Sequence, residues 1–252
     1  MEDRQQLFGA VLGSIQDELD WERLGRAYCE GDGSSFFDDE SRERWLDAGL
    51  LIADELAQHL PRGRGRSAYI GAALAEIPVL LVESLVLGRE VVWVNLPGDE
   101  IQELERVLRL VGERRGLELP LPSNAPIESL PQHVFDHVWL VSVLTDPEHF
   151  PALHDELYER HGTVLATNRG ALAAERARAE QLAGAVLALA ADGALLTTSE
   201  EELAVLLPLA RARDRVLRPL DRHRRGPRPV SGIVGDVVRF LRLWSRDAPP
   251  EA

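Results

Sequence analysis

Apolar residues recur along the first 60 positions at helical spacing. Leu7, Val11, Leu12, Ile15 and Leu19 form one stripe, and Trp45, Leu46, Leu50, Ala53 and Leu56 form a second. A glycine-rich break from Cys29 to Glu40 separates them, and Asp38, Asp39 and Glu40 place negative charge where it favours a helix start. The run Pro-Arg-Gly-Arg-Gly-Arg at 61–66 cannot sustain a helix and marks the entry into a different pattern.

From residue 67 the chain alternates short Val- and Ile-rich runs with longer helical segments. Strands are expected at Ala68–Gly71, Val91–Asn95, Leu117–Leu121, His137–Val143, Thr163–Thr167, Ala194–Thr198 and Val216–Leu220. Helices are expected over 74–87, 98–115, 147–161, 171–190 and 200–209. Parallel neighbours need crossover helices that cover both sheet faces, so the fold class is α/β, a doubly wound and mostly parallel sheet of Rossmann-like type. The run Val138–Val143, apolar but for Ser142, fits a central strand. Three parts follow: an N-terminal helical segment over 1–62, the α/β domain over 63–225, and a tail over 226–252. In the tail, Ile233, Val234, Val237, Val238, Leu241 and Trp244 predict an amphipathic helix that docks on its own domain or on a second copy of the chain, which would make a homo-oligomer.

Composition narrows the functional classes. The 252 residues are long enough to bury a large core without a metal or disulfide staple. The formal charge of -14 opposes broad attraction to nucleic acid or anionic lipid. All 28 basic residues are Arg, which removes Schiff-base lysine chemistry and lysine-dependent phosphate loops. The charge is uneven: 15 acids and 5 arginines in the first 60 residues, against 8 arginines and 2 acids over 211–228. That arginine segment is either solvated and paired internally or a docking patch for an acidic partner. It contains no aromatic residue on which a base could stack. A single cysteine, Cys29, gives no internal disulfide, the start lacks a secretory pattern, and no apolar run is long enough to span a membrane, so a cytoplasmic protein is expected.

In an open parallel sheet, ligands bind beyond the carboxyl ends of the strands. The first strand runs Ser67-Ala68-Tyr69-Ile70-Gly71-Ala72-Ala73-Leu74-Ala75-Glu76, with a glycine and small residues in the turn before a helix. This succession resembles class I S-adenosylmethionine-dependent methyltransferases over residues 67–220. Phe135-Asp136-His137-Val138-Trp139-Leu140-Val141 looks like the family's entry into its fourth strand, and Ala191-Asp192-Gly193-Ala194-Leu195-Leu196-Thr197 like its later glycine turn and strand. The strand and helix expected over 163–190 lie between the two as an extra unit.

The resemblance implies S-adenosylmethionine as cofactor, with Gly71, Ala72, Ala73, Asn95, Leu96 and Ser142 around it, and a small-molecule acceptor rather than nucleic acid. Asp146 is the one candidate base, beside Ser142 and Thr145 at the end of the fourth strand. Two departures matter. Ala72, Ala73 and Leu74 stand where the family carries further glycines, and Asn95 stands where it carries an acid for the ribose hydroxyls, with Asp99 a substitute from the next turn. The same residues have plain structural roles: Gly71 in a tight turn, Asn95 as a cap, and Asp146 capping a helix with Pro147 at its first position. A catalytically inactive scaffold that binds a protein partner is therefore the second reading.

Other chemistries fit less well. The dinucleotide glycine pattern, the phosphate loop and the nucleophile elbow are absent. His149 and His154 diverge on a helix and His161 lies too far along it to share an ion with them, so they read as surface histidines. The acidic loop from Asp32 to Glu40 fails the calcium-loop pattern at Ser34 and Phe36.

Overall fold

The computed structural model of the protein describes residues 2–28, 36–158, 169–220 and 236–246. The chain divides into two compact units, one built mainly on Met1–Ala125 and the other on Pro126–Arg228 with Asp236–Ala252. The fold class is α/β, as the alternating pattern implies.

The first unit opens with three helices, α1 (Glu2–Glu18), α2 (Trp21–Tyr28) and α3 (Asp39–His59). The acidic start of α3 works as the sequence suggests, since the Asp38 side chain accepts from Ser41 N at 2.8 Å. The apolar stripes of α1 and α3 face inward, burying Val11, Leu12, Ile15, Trp45, Ile52 and Leu56. Strand β1 (Arg66–Ile70) follows, then a helical stretch that changes pitch: a 3-10 turn at Leu74–Glu76, α4 (Ile77–Leu81), and a wider π turn at Val82–Leu87. Strand β2 (Glu90–Val94) runs parallel to β1 with Ala68 opposite Val92, and α5 (Asp99–Arg115) leads to β3. The third strand is Pro122–Ser123, parallel to β2, and not the expected Leu117–Leu121. Prolines at 120 and 122 remove donors from the ladder, so pairing begins late and is brief.

Beneath β1 lies a buried ion pair. Arg89 Nε donates to Glu83 Oε2 at 2.8 Å, with both side chains fully enclosed. The Ser67 and Tyr69 hydroxyls also donate to Glu83, and Arg89 Nη2 reaches Ser67 Oγ at 3.1 Å. Gly65 makes room for this guanidinium, because a Cβ there would lie 2.0 Å from Arg89 Nη1. The pair thus fastens the π turn to the strand that carries the glycine turn.

The second unit holds β4 (Phe135–Leu140), α6 (Pro151–Leu157), α7 (Arg169–Leu189), β5 (Ala190–Ser199), α8 (Leu203–Ala212), β6 (Arg215–Pro219) and β7 (Val238–Ser245). Strands β4 and β5 are parallel, while β7 lies antiparallel between β5 and β6. The expected glycine turn near Gly193 is a bulge inside β5, since the register passes from Phe135 opposite Ala190 to His137 opposite Leu195. The tail is therefore a strand over Val238–Ser245 where an amphipathic helix is expected. Its Val, Phe, Leu and Trp content suits a pleated surface as well as a helical stripe, and pairing on both edges decides between them. The expected strand Thr163–Thr167, the end of the 147–161 helix, and Arg222, Arg224, Arg225 and Arg228 of the arginine segment lie outside the described residues. Within the arginine segment, Arg215 turns inward and donates to the carbonyls of Leu187, Ala190 and Ala191 at 2.8–3.0 Å, bridging the last turn of α7 and the start of β5. Burial lowers its pKa. Among the described residues no helix is long and apolar enough to cross a membrane.

Removing Arg89 while leaving Glu83 enclosed strands a charge. Arg89→Met is expected to cost about 3–5 kcal/mol, measured by urea unfolding at neutral pH. A loss below about 1 kcal/mol would show that the pair does not hold β1.

Candidate functional site

Two clusters of polar side chains stand at the carboxyl ends of parallel strands, one in each unit. In the first, β1 leaves the sheet through Gly71, whose φ of 72° lies in the left-handed region where an L side chain is strained. Ala72 and Ala73 need no such conformation, so methyl groups are tolerated there. Gly71 N donates to Val94 O at 2.9 Å, and the Ala72 carbonyl accepts from both Trp93 Nε1 at 2.8 Å and Asn95 Nδ2 at 2.7 Å. Asn95 Oδ1 in turn accepts from Leu96 N at 2.7 Å, and Leu96 is exposed. The structure thus brings Gly71, Ala72, Ala73, Asn95 and Leu96 together, with Asn95 tying the end of β2 to the turn rather than capping a helix.

Sequence reasoning missed the carboxylates of this turn. Ala73 N donates to Glu76 Oε2 at 2.8 Å, and Leu74 N donates to Glu100 Oε1 at 2.9 Å. Glu100 also accepts from the Tyr28 hydroxyl, and the Tyr28 ring stacks on Phe36 with centroids 5.4 Å apart. Burial pushes the Glu76 carboxyl up to about 7, with the charge of Glu100 adding to the shift and the Ala73 amide opposing it. Burial raises Glu100 as well, and it raises Tyr28 well above the ordinary phenol range, followed by the effect of Glu100 itself. This turn holds two buried carboxyl groups, and its backbone amides are already engaged.

In the second unit, Ser142 follows β4 with a φ of 60° and its hydroxyl donates to Asp236 Oδ2 at 2.7 Å. The Tyr158 hydroxyl donates to the other Asp236 oxygen. Glu202 is fully buried and accepts from Val143 N, Leu144 N, Thr198 Oγ1 and Ser199 N at 2.7–3.1 Å. Burial raises its pKa despite these four donors. Asp146 stands apart from this chemistry. Its Oδ1 accepts from Glu148 N at 2.9 Å and its Oδ2 meets His149 Nδ1 at 2.6 Å, so it caps a turn. The helix starts at Pro151 rather than at Pro147, and Glu175 Oε2 accepts from Ala152 N and Leu153 N at 2.8–2.9 Å at its amino end. His154, expected at the surface, is buried with Nδ1 2.6 Å from Thr145 O.

No family model matches the chain, and no curated protein matches it. Several solved structures are similar in fold. TYW2 of Pyrococcus horikoshii, in complex with MeSAdo, aligns over 83% of this chain and 64% of its own, at 11% identity and a TM-score of 0.45. TYW2 of M. jannaschii, in complex with AdoMet, aligns over 83% of this chain and 78% of its own, at 10% identity and 0.43. A methyltransferase from Pyrococcus furiosus aligns over 79% and 83%, at 12% identity and 0.45. The chain spans 64% of the length of the first of these and 45% of another, PH0851.

Glu76 gives the first-unit turn a pH signature. Its folded pKa is raised, so between about 4.5 and 7 the folded state holds a proton that the unfolded state has released. Stability therefore falls as pH rises through that window. Glu76→Gln, which still offers an oxygen to Ala73 N, is expected to flatten this fall and to be more stable than the parent above pH 7, by up to about 3 kcal/mol. Parallel stability curves from pH 4 to 8 would refute the assignment.

Proposed function

We propose that the chain binds S-adenosylmethionine at the turn after β1 and acts as a methyltransferase on a small-molecule acceptor. The observation that carries this reading is left-handed Gly71 at a strand-to-helix turn, with two buried carboxylates, Glu76 and Glu100, bonded to the turn's own amides. The cofactor supplies an electrophilic methyl group on a sulfonium, and it also carries an ammonium. A buried anionic turn favours such a cation over a neutral nucleoside.

The residues present fit this group in their chemistry. Gly71, Ala72 and Ala73 would offer backbone at close range, and Leu96 an exposed apolar side chain. Asn95 Oδ1 keeps a second lone pair after accepting from Leu96 N, enough to accept one ribose hydroxyl, without the added strength of a charged acceptor. Glu76 and Glu100 would hold positive charge, and Tyr28 keeps Glu100 in place. A cytoplasmic setting goes with it, since the single Cys29 cannot close an internal disulfide.

A second reading, an inactive scaffold that binds a protein partner, is favoured by a specific observation. The Ala72 carbonyl and the Ala73 and Leu74 amides are all bonded to side chains of the chain itself, so a ligand would have to displace them. Calorimetry with S-adenosylmethionine and S-adenosylhomocysteine separates the two. The methyltransferase reading expects saturable binding of both, abolished in Gly71→Leu while far-UV circular dichroism is unchanged. Absence of heat at millimolar ligand supports the scaffold, and unchanged affinity in Gly71→Leu moves the pocket elsewhere.

A further inference from the structure

Among the described residues of the second unit, no basic side chain pairs with Asp236. Asp236, 4% exposed just before β7, accepts from the Ser142 and Tyr158 hydroxyls. Beside it, Glu201 is half-buried. Its carboxyl is raised by burial first and then by the charges of Asp236 and Glu200, and its Oε2 has no hydrogen-bond partner. Among the described residues neither carboxylate pairs with a basic side chain; the arginine of β7 next to them in sequence, Arg239, binds Glu200 at 2.7 Å. An enclosed carboxylate without a counter-ion is costly, and two hydroxyl bonds compensate it only in part.

Two further buried side chains belong to the same region. Thr145 is 2% exposed, and its hydroxyl has no hydrogen-bond partner among the described residues. His154 is 8% exposed with its ring 4.6 Å from the Tyr158 ring. Its Nδ1 faces the Thr145 carbonyl, which can only accept, so the ring proton sits on Nδ1 and buried Nε2 is left as an acceptor without a partner. Ser142 holds its hydroxyl on Asp236 from a left-handed backbone, a conformation strained for a non-glycine residue. The cluster is rich in acceptors and poor in donors, and its complement is a positive group with several N–H bonds. Among the described residues no group of three or more His, Cys, Asp or Glu side chains could share a metal ion, so an organic cation fits better than a metal.

We propose that this cluster is a binding site for the primary ammonium group of a small organic ligand, with Asp236 as counter-ion and Glu201 as the second anion. Ser142, Tyr158 and Glu201 are each partly exposed, which leaves an edge through which the ammonium can enter. The site stands on the second unit alone and holds whether or not S-adenosylmethionine binds.

The probe is 1,4-diaminobutane, with 1,4-butanediol at equal concentration and sodium chloride at equal ionic strength as controls, read by calorimetry and thermal unfolding on the full chain. The diamine is expected to bind saturably and raise the melting temperature, and the diol and salt are not. Asp236→Asn should weaken diamine binding at least tenfold. Glu201→Gln, which leaves the Ser142 and Tyr158 bonds in place, should weaken it severalfold with the melting temperature of the free protein unchanged or higher. If Asp236→Asn fails to fold, Glu201→Gln decides alone. An equal response to diamine and diol, a response matched by salt, or parent-like affinity in the folded variants overturns the proposal. None of these outcomes depends on cofactor binding, so the two readings fail separately.

Discussion

At five places where the described chain enters or leaves a helix or strand, glutamate side chains accept from backbone amides. An unpaired buried N–H costs about 1–3 kcal/mol, so each such place needs an acceptor. Glu76 serves Ala73, Glu100 serves Leu74, and Glu103 serves Asp20 at the entry to α2. Glu175 serves the first turn of α6, and Glu202 serves the turn after β4 together with the start of the segment leading to α8. Part of the acidity of this protein is thus internal scaffolding rather than solvated surface. The strand ends, where an α/β fold places ligands, are shaped by these carboxylates before any ligand arrives.

That arrangement explains what could be read from the sequence and what could not. The apolar runs at Ala68–Ile70, Val91–Val94 and Val138–Leu140 announced β1, β2 and β4, because strands buried among neighbours carry little else. Helical periodicity announced α1, α3 and α5 for the same reason of burial. The tail misled because Val237, Val238, Leu241 and Trp244 satisfy both a 3.6-residue period and a strand buried on two faces, and only the partners β5 and β6 settle the matter. The third strand was misplaced because prolines at 120 and 122 govern pairing more strongly than the apolar content of Leu117–Leu121.

Of the site, the backbone was legible and most of the chemistry was not. Gly71 and the small residues after it predict the turn, and Asn95, expected at the end of the second strand, bonds to the Ala72 carbonyl of that turn. Glu76 and Glu100 look like ordinary polar positions in helical segments, since nothing local shows that the fold encloses them. One signal was available: Ser199 and Glu202 have capping-box spacing, and they bond reciprocally, Glu202 N to Ser199 Oγ at 3.4 Å and Ser199 N to Glu202 Oε2 at 3.1 Å. Asp236 and Tyr158 are 78 residues apart, and no sequence pattern links them.

The protein buries carboxylates in two ways, and the difference separates framework from function. Glu83 has a guanidinium within 2.8 Å and two hydroxyls besides, so its charge is cancelled and a ligand has nothing to add. Among the described residues, Glu76, Glu100 and Asp236 are held instead by amides and hydroxyls, which supply partial positive charge, and none of them pairs with a basic side chain. Dipoles fix where such a carboxylate sits while leaving most of its field uncancelled, a field that is strong where water is excluded. A cation arriving at either strand end would therefore meet a preorganised anion and relieve a cost already built into the free protein. The chain has no lysine, so arginine is the one fixed cation it can bring to an interior carboxylate, as Arg89 does at Glu83.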